Sequence, residues 1–84
     1  TGGQGMAMAA NRFSGIRAAV IWDKFEAHEC RHDNDANVLC LPARVVDPPG
    51  EAHDNWKEIV DEWLDTPFAG AARYIRRNAE LDKF

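Results

Sequence analysis

The 84-residue sequence predicts an α/β fold in which helices cover a parallel β-sheet. Two short runs, at 16–22 and 37–42, are rich in Ile, Val, Leu and Ala and apolar on both faces, as is typical of buried parallel strands. A helical pattern lies between them, so the order is strand, helix, strand. Because two strands are too few for a stable parallel sheet, we expect further strands upstream of this segment.

The first predicted elements follow from local chemistry. A glycine-rich loop leads into a helix over 5–13, where Met and Ala favour helical backbone and "SG" at 14–15 ends it. After the first strand, Asp23 caps a second helix that runs through "KFEAHECRH", and "DND" at 33–35 ends that helix with turn-forming residues.

The second half of the chain is predicted to be helical. "ARVV" continues the second strand as a turn or short extension, and "DPPGE" at 47–51 breaks the chain. The strongest helix signal follows, with apolar residues at i, i+3, i+4, i+7 and i+8: Trp56, Ile59, Val60, Trp63 and Leu64. We expect the two tryptophans of this stripe to lie in the core. "DTPF" closes it, and a last helix after Gly70 carries Arg73 and Arg77 one turn apart.

Composition excludes several classes of protein. The 10 Lys and Arg against 14 Asp and Glu give a net charge of −4, which argues against nucleic-acid and anionic-membrane partners. The two cysteines lack a disulfide spacing and no run reaches transmembrane length, which favours a cytoplasmic protein with reduced thiols. Cys40, inside an apolar strand, is expected to be an inert buried thiol.

Four blocks, in this order along the chain, resemble the C-terminal part of the ribose-5-phosphate isomerase type B and galactose-6-phosphate isomerase family. They are "GQGMAMAANRFSGIRAAVIWD", "NDANVLCLPARVV", "EIVDEWLDTPFAG" and "RYIRR". The resemblance covers nearly the whole chain apart from "DPPGEAHDN". It implies aldose–ketose isomerisation of a sugar phosphate through a cis-enediol, with no metal or organic cofactor.

The resemblance also implies an architecture. Family members are cytosolic and have a single Rossmann-like, three-layer αβα domain with a five-stranded parallel sheet. They form homodimers or dimers of dimers whose active sites are shared between subunits. On this comparison residues 1–84 are the C-terminal part of one such domain, without its first three strands.

The opening loop matches the part of the family that holds the developing oxyanion. The resemblance makes Gly2, Gly3 and Gly5 candidates for an amide cradle, although a tight strand-to-helix turn would also need glycines. The family's base is either a Cys that begins a Cys-Gly-Thr-Gly-x-Gly stretch or a Glu after the last Gly, and the Glu position here is Met6. We therefore expect a Cys base just before Thr1. Thr1 itself aligns with the family's first Gly or, if one residue is inserted, with its Thr.

The family's ring-opening His belongs to a His-Asn-Asp stretch that aligns with Asp33, Asn34 and Asp35. Asp33 could replace that His if its pKa is raised, His32 could reach in from the adjacent position, or the substrate could need no ring opening. Alternatively, Asp33 only ends the helix. Asn34 keeps the match and is expected to hold the sugar hydroxyls or the enediol oxygens.

Three arginines match the family's phosphate site: Arg44, Arg73 and Arg77. Two guanidinium groups one turn apart can grip one phosphate, although such pairs are often only a solvated helix face. "HECRH" brings His28 and His32 to one helix face, but Cys30 points elsewhere, so we expect no metal site. The other functions considered are an isomerase for a different sugar phosphate and a noncatalytic phosphosugar-binding or dimerisation module.

Overall fold

The computed structural model describes residues 2–46 and 55–83. The predicted order of helices and strands is confirmed over these residues, with "DPPGE" and Thr1 lying outside them. The described elements are α1 (Gln4–Ala10), β1 (Ala18–Val20), α2 (Lys24–Asn34), β2 (Val38–Cys40), α3 (Ala43–Val46), α4 (Asn55–Asp65) and α5 (Ala72–Leu81).

The two strands form a parallel pair in which Ala19 lies opposite Leu39. Alternate side chains leave a strand on opposite faces. On one face Ala19 and Leu39 pack against the core formed with α2 and α4. On the other face Val20 lies beneath Gly3, where α1 begins. Helices therefore cover both faces of the sheet, which confirms the predicted α/β layering.

The core lies between the sheet and the α2–α4 layer. Its buried apolar residues lie next to the two strands and on the helices α2, α3 and α4. They are Ile21, Ala27, Ala36, Val46, Ile59 and Trp63. The apolar stripe of α4 is confirmed for Ile59 and Trp63, but the prediction that Trp56 is a core residue is wrong, because 37% of it is exposed. Among the described elements α4 packs mainly against α2, and Ile59 and Trp63 are the residues of its stripe that enter the core.

Two helix ends differ from their predicted positions. α1 ends at Ala10 because the side chain of Asn11 turns back to the sheet, where Nδ2 donates to the carbonyl of Ala18 (3.0 Å) and Oδ1 accepts from its N–H (2.7 Å). α2 continues through Asp33 and Asn34 and ends at Asp35, whose φ of 50° is left-handed. "ARVV" forms the helical turn α3.

Strand direction separates the two ends of the molecule. β1 and β2 point the same way, so the connecting α2 must run in the opposite direction. Its last turn therefore lies at the amino edge of the sheet, away from Gly3 and α3 at the carboxyl edge. α5 joins that last turn, since Asn78 Nδ2 donates to the carbonyl of Asn34 (2.9 Å). Among the described residues, no helix combines the length and apolar character needed to cross a membrane.

Candidate functional site

The glycine-rich loop lies directly over the carboxyl edge of the sheet. Gly3 has a φ of 80°, and a Cβ added there would lie 3.4 Å from Val20 Cγ1 and 3.7 Å from Cys40 Cβ. A side chain is therefore disfavoured by both backbone and space. Gly2 and Gly5 are exposed beside it and a Cβ on either would meet open space. Arg44, exposed on α3, follows β2 at the same edge.

Arg73 and Arg77 lie against one aromatic ring. The guanidinium carbon of Arg73 lies 4.6 Å from the centre of the Tyr74 ring, and that of Arg77 lies 5.9 Å from it. Arg73 also donates a hydrogen bond of 2.9 Å to the Tyr74 hydroxyl. Over residues 2–46 and 55–83, neither guanidinium forms an ion pair with a carboxylate. We call these three residues the arginine–tyrosine cluster.

Asp33 and His32 form a tight pair beside that cluster. His32 Nδ1 lies 2.6 Å from Asp33 Oδ1, and the His32 ring meets the edge of Tyr74 at 6.5 Å between ring centres. The hydrogen bond from His32 is the largest cause that lowers the pKa of Asp33, and Tyr74 lowers it further, while burial opposes both. The condition under which Asp33 would act as an acid, a raised pKa, is therefore not met.

A second histidine lies behind the first. The His28 and His32 rings stack at 5.4 Å with an angle of 16° between their planes. His28 Nδ1 lies 3.1 Å from Glu62 Oε2, which also accepts a hydrogen bond of 2.7 Å from the Thr66 hydroxyl. That hydroxyl is the main cause that lowers the pKa of Glu62. In the part of the chain that the structure describes, no group of three His, Cys, Asp or Glu side chains could hold a metal ion.

The residues predicted from the sequence thus form two groups. The glycine loop and Arg44 lie at the carboxyl edge, whereas Asp33, Arg73 and Arg77 lie together around Tyr74 at the far end of α2 and α5. Asn34 neighbours the second group, with its carbonyl bound by Asn78. The predicted site residue Thr1 lies outside the described residues.

Tyr74 and His28 were missed by the sequence reasoning. An aromatic residue between two arginines one turn apart was the available signal for Tyr74, because a ring next to Arg73 on a helix can contact both guanidinium groups. His28 was visible one turn before His32, but its stacking depends on Glu62 of α4. That contact joins distant parts of the chain.

A cavity of about 450 Å³ lies at the amino edge, apart from the arginine–tyrosine cluster. It is lined mainly by apolar atoms, with Phe13, Ile16 and Leu81 among its walls. Asn34 reaches its wall, but Asp33, Arg73 and Arg77 do not. Two arginines, Arg12 and Arg17, also line the cavity, and Arg17 is already paired with Asp35 (3.2 Å) and Asp82 (3.8 Å).

Comparison with known proteins gives a consistent result. A family model described as ribose/galactose isomerase matches residues 1–81. The chain is 38% identical over 80 residues to a ribose-5-P isomerase B of Listeria innocua, covering 95% of this chain and 48% of that protein. It is 43% identical over 68 residues to a D-erythrulose-4-phosphate isomerase of Pectobacterium atrosepticum, covering 81% of this chain and 41% of that protein.

A solved structure has the same fold. It is the ribose-5-phosphate isomerase B of Mycoplasma genitalium with bound ribulose-5-phosphate, at a TM-score of 0.86 and 34% identity, with 98% of this chain and 50% of that chain covered. The chain spans about half the length of the relatives it matches. The expected Rossmann-like αβα fold class is confirmed. With the family model matching residues 1–81 of the 84, the chain belongs to the ribose/galactose isomerase family.

Proposed function

We propose that the protein interconverts an aldose phosphate and a ketose phosphate and binds the substrate's phosphate at the arginine–tyrosine cluster. The observation that carries the proposal is the pair of guanidinium groups, Arg73 and Arg77, held on one ring without a carboxylate partner among the described residues. Guanidinium groups match phosphate oxygens in geometry and charge. Two guanidinium groups side by side with no carboxylate partner in residues 2–46 and 55–83 favour a dianionic ligand.

Relatives suggest two substrate classes. One matched structure contains ribulose-5-phosphate, and the Listeria relative is a ribose-5-P isomerase B, which makes conversion of ribose 5-phosphate to ribulose 5-phosphate the leading candidate. The Pectobacterium relative acts on a four-carbon sugar phosphate by its name. A different sugar phosphate is the second candidate, and Asp33 at the aligned ring-opening position favours it.

The proposed chemistry passes through a cis-enediol. A base upstream of Thr1 removes the proton at C2, and amides of the Gly2, Gly3 and Gly5 loop stabilise the negative charge that develops on the oxygen. The left-handed backbone of Gly3, held against Val20, supports this role because it fixes the direction of the loop. The steps proposed here use a protein base and backbone amides, without a metal ion or an organic cofactor, and the net reaction moves a proton without oxidation.

We also propose that two copies share each active site, in a homodimer or dimer of dimers in the cytoplasm. The glycine loop and Arg44 lie at the carboxyl edge of the sheet, whereas Asp33, Asn34, Arg73 and Arg77 belong to the opposite end of α2 and to α5. Both groups meet at one substrate if one copy supplies the loop and its partner supplies the arginine–tyrosine cluster. Residues 1–84 then form part of one isomerase domain.

The test is an assay of the full-length protein against ribose 5-phosphate, ribulose 5-phosphate and a panel of tetrose to hexose phosphates. We expect conversion of at least one aldose–ketose pair. Binding of these sugars without turnover would indicate a noncatalytic phosphosugar module instead. Mixed dimers of an Arg73→Ala copy and a copy disabled by Gly5→Asp test whether the site is shared. If it is shared, one of the two sites has an intact loop and an intact cluster, and the mixed dimer should regain activity. If each site is made within one copy, mixing should restore no activity.

A further inference from the structure

We propose that Tyr74 is a positioning residue that keeps Arg73 and Arg77 available to the substrate's phosphate. Its ring carries both guanidinium groups, and its hydroxyl gives Arg73 a hydrogen-bond partner in place of the Asp33 carboxylate. This role rests on the proposed function, in which the two arginines bind the phosphate. Tyr74 itself is assigned no contact with the substrate.

The Tyr74 ring is held against the end of α2. Ahead of α5, the Ala69 N–H donates to the His32 carbonyl (3.0 Å), and one turn after Tyr74, Asn78 donates to a carbonyl in the last turn of α2 (2.9 Å). Residues four apart share a helix face, so Tyr74 lies on the same face as Asn78, towards α2. There its ring is half-buried and lies 6.5 Å from the rings of both His32 and Phe68, measured between ring centres. This packing fixes the ring before any ligand binds.

The fixed ring gives both arginines a favourable position side by side. Like charges one helical turn apart repel each other, which drives two flexible side chains apart when no anion lies between them. Arg73 and Arg77 lie 4.6 and 5.9 Å from the centre of the Tyr74 ring, whose π-electron face attracts cations. One ring thus offsets part of the repulsion and reduces the entropy that both side chains lose when a phosphate binds.

The hydroxyl of Tyr74 acts on two oppositely charged groups. It accepts a hydrogen bond of 2.9 Å from Arg73 Nη2. His32 is the largest cause that lowers the pKa of Asp33, and hydrogen bonding from Tyr74 lowers that pKa further. A phenol hydroxyl both accepts and donates, so one oxygen can serve the guanidinium and the carboxylate together. Within residues 2–46 and 55–83, Asp33 forms an ion pair with His32 and with neither Arg73 nor Arg77.

This arrangement prevents the phosphate site from neutralising itself. A guanidinium that pairs with a nearby carboxylate must leave it before binding phosphate, so the apparent affinity falls as more molecules contain the pair. Without the Tyr74 hydroxyl, Arg73 loses its acceptor and Asp33 loses a donor, and the two charged groups become partners for each other. The hydroxyl therefore keeps Arg73 free for the phosphate.

Binding of inorganic phosphate measures this role without turnover. In the full-length protein, Tyr74→Phe keeps the ring and removes the hydroxyl, and we expect it to weaken phosphate binding about fivefold in isothermal titration calorimetry. Tyr74→Leu removes the ring as well and should weaken binding about twentyfold. KM for a converted sugar phosphate should rise in parallel while kcat changes little, because the phosphate is bound equally in the ground and transition states. Arg76→Ala, on the same exposed helix, is the control and should leave the phosphate Kd unchanged.

A second substitution distinguishes this role from a purely structural one. If the hydroxyl keeps Arg73 from pairing with Asp33, then Asp33→Asn removes the competing charge. Adding it to Tyr74→Phe should bring the phosphate Kd to within about twofold of that of Asp33→Asn alone. A protein that was merely damaged by loss of the hydroxyl would not regain affinity when a second hydrogen-bonding group is changed.

Each contrary result overturns the role of Tyr74. Unchanged phosphate binding in Tyr74→Phe and Tyr74→Leu would mean that the arginines need no support from it. A double variant that binds as weakly as Tyr74→Phe would mean that Asp33 does not compete for Arg73, and a wild type that binds no phosphate would also refute the role. The proposed isomerisation fails separately, if the wild type binds phosphate but converts no sugar phosphate in the panel, and the comparison of Kd values then still decides the role of Tyr74.

Discussion

Arg73 contacts Tyr74 twice: it donates a hydrogen bond of 2.9 Å to the phenol hydroxyl and lies 4.6 Å from the centre of the same ring. The ring thereby restricts a long and otherwise mobile side chain before any ligand arrives. Arg77 lies on the same ring at 5.9 Å. α5 thus presents two guanidinium groups to one place, although it carries no buried residue.

Arg73→Ala and Arg77→Ala should each raise KM for the sugar phosphate by roughly thirtyfold, since a hydrogen bond to a charged group contributes about 2 kcal/mol. The change in kcat should be smaller, because the phosphate is bound equally in the ground and transition states. Steady-state kinetics of the full-length protein measure both. Arg76→Ala is the matched control on the same exposed helix and should leave KM unchanged. Unaltered kinetics in the first two variants would mean that both arginines only form a solvated helix face and do not bind the phosphate.

Gly3→Ala should destabilise the protein by about 1–2 kcal/mol, because its φ of 80° is left-handed and the new Cβ would lie 3.4 Å from Val20 Cγ1. Gly5→Ala is the control: it is exposed in α1 with open space around it, so alanine should be neutral or slightly stabilising. Urea unfolding of both variants measures the difference. Equal stability of the two would mean that the left-handed turn at Gly3 imposes no constraint.

Cys30 should react slowly with alkylating reagents at neutral pH. Burial raises the pKa of its thiol, and the nearby carboxylates of Glu26, Glu29 and Asp33 raise it further, so little thiolate is present. Cys40 is free but buried and should react more slowly still. Peptide mass spectrometry after timed iodoacetamide treatment measures both rates. Native Cys30 that reacts as fast as in denaturant would contradict this account.

The stabilising contribution of Asp33 and Glu62 should be present at neutral pH and lost in acid. The folded state lowers the pKa of each carboxyl, so each favours folding above its ordinary pKa, about 4, and this advantage disappears as pH falls through the folded value. The Tm gap between wild type and Asp33→Asn or Glu62→Gln should be constant above about pH 5 and should narrow below pH 4. Thermal melts across pH measure the gap, and one that widens in acid would reverse the assigned sign.

Much of the fold could be predicted because its signals are local. The apolar runs at 16–22 and 37–42 contain β1 and β2, and the spacing of Ile59 and Trp63 gave the buried face of α4. Trp56 had the same spacing but is 37% exposed, so periodicity alone overstated the width of the buried face. Helix ends were less accurate: the Asn11 side chain that ends α1 binds a backbone seven residues later.

The candidate site also has features that follow from the sequence and features that depend on the tertiary structure. Residue types and order along the chain determined the βαβ unit, the family, the glycine loop and the arginines one turn apart, since each depends on neighbours in sequence. Only the tertiary structure decided that the loop and the arginine–tyrosine cluster lie at opposite edges, that His28 supports His32, and that His32 holds Asp33 ionised. The physical reason is that hydrogen bonds, ring contacts and pKa values depend on distances in space. Those distances are fixed where α2, α4 and α5 pack together.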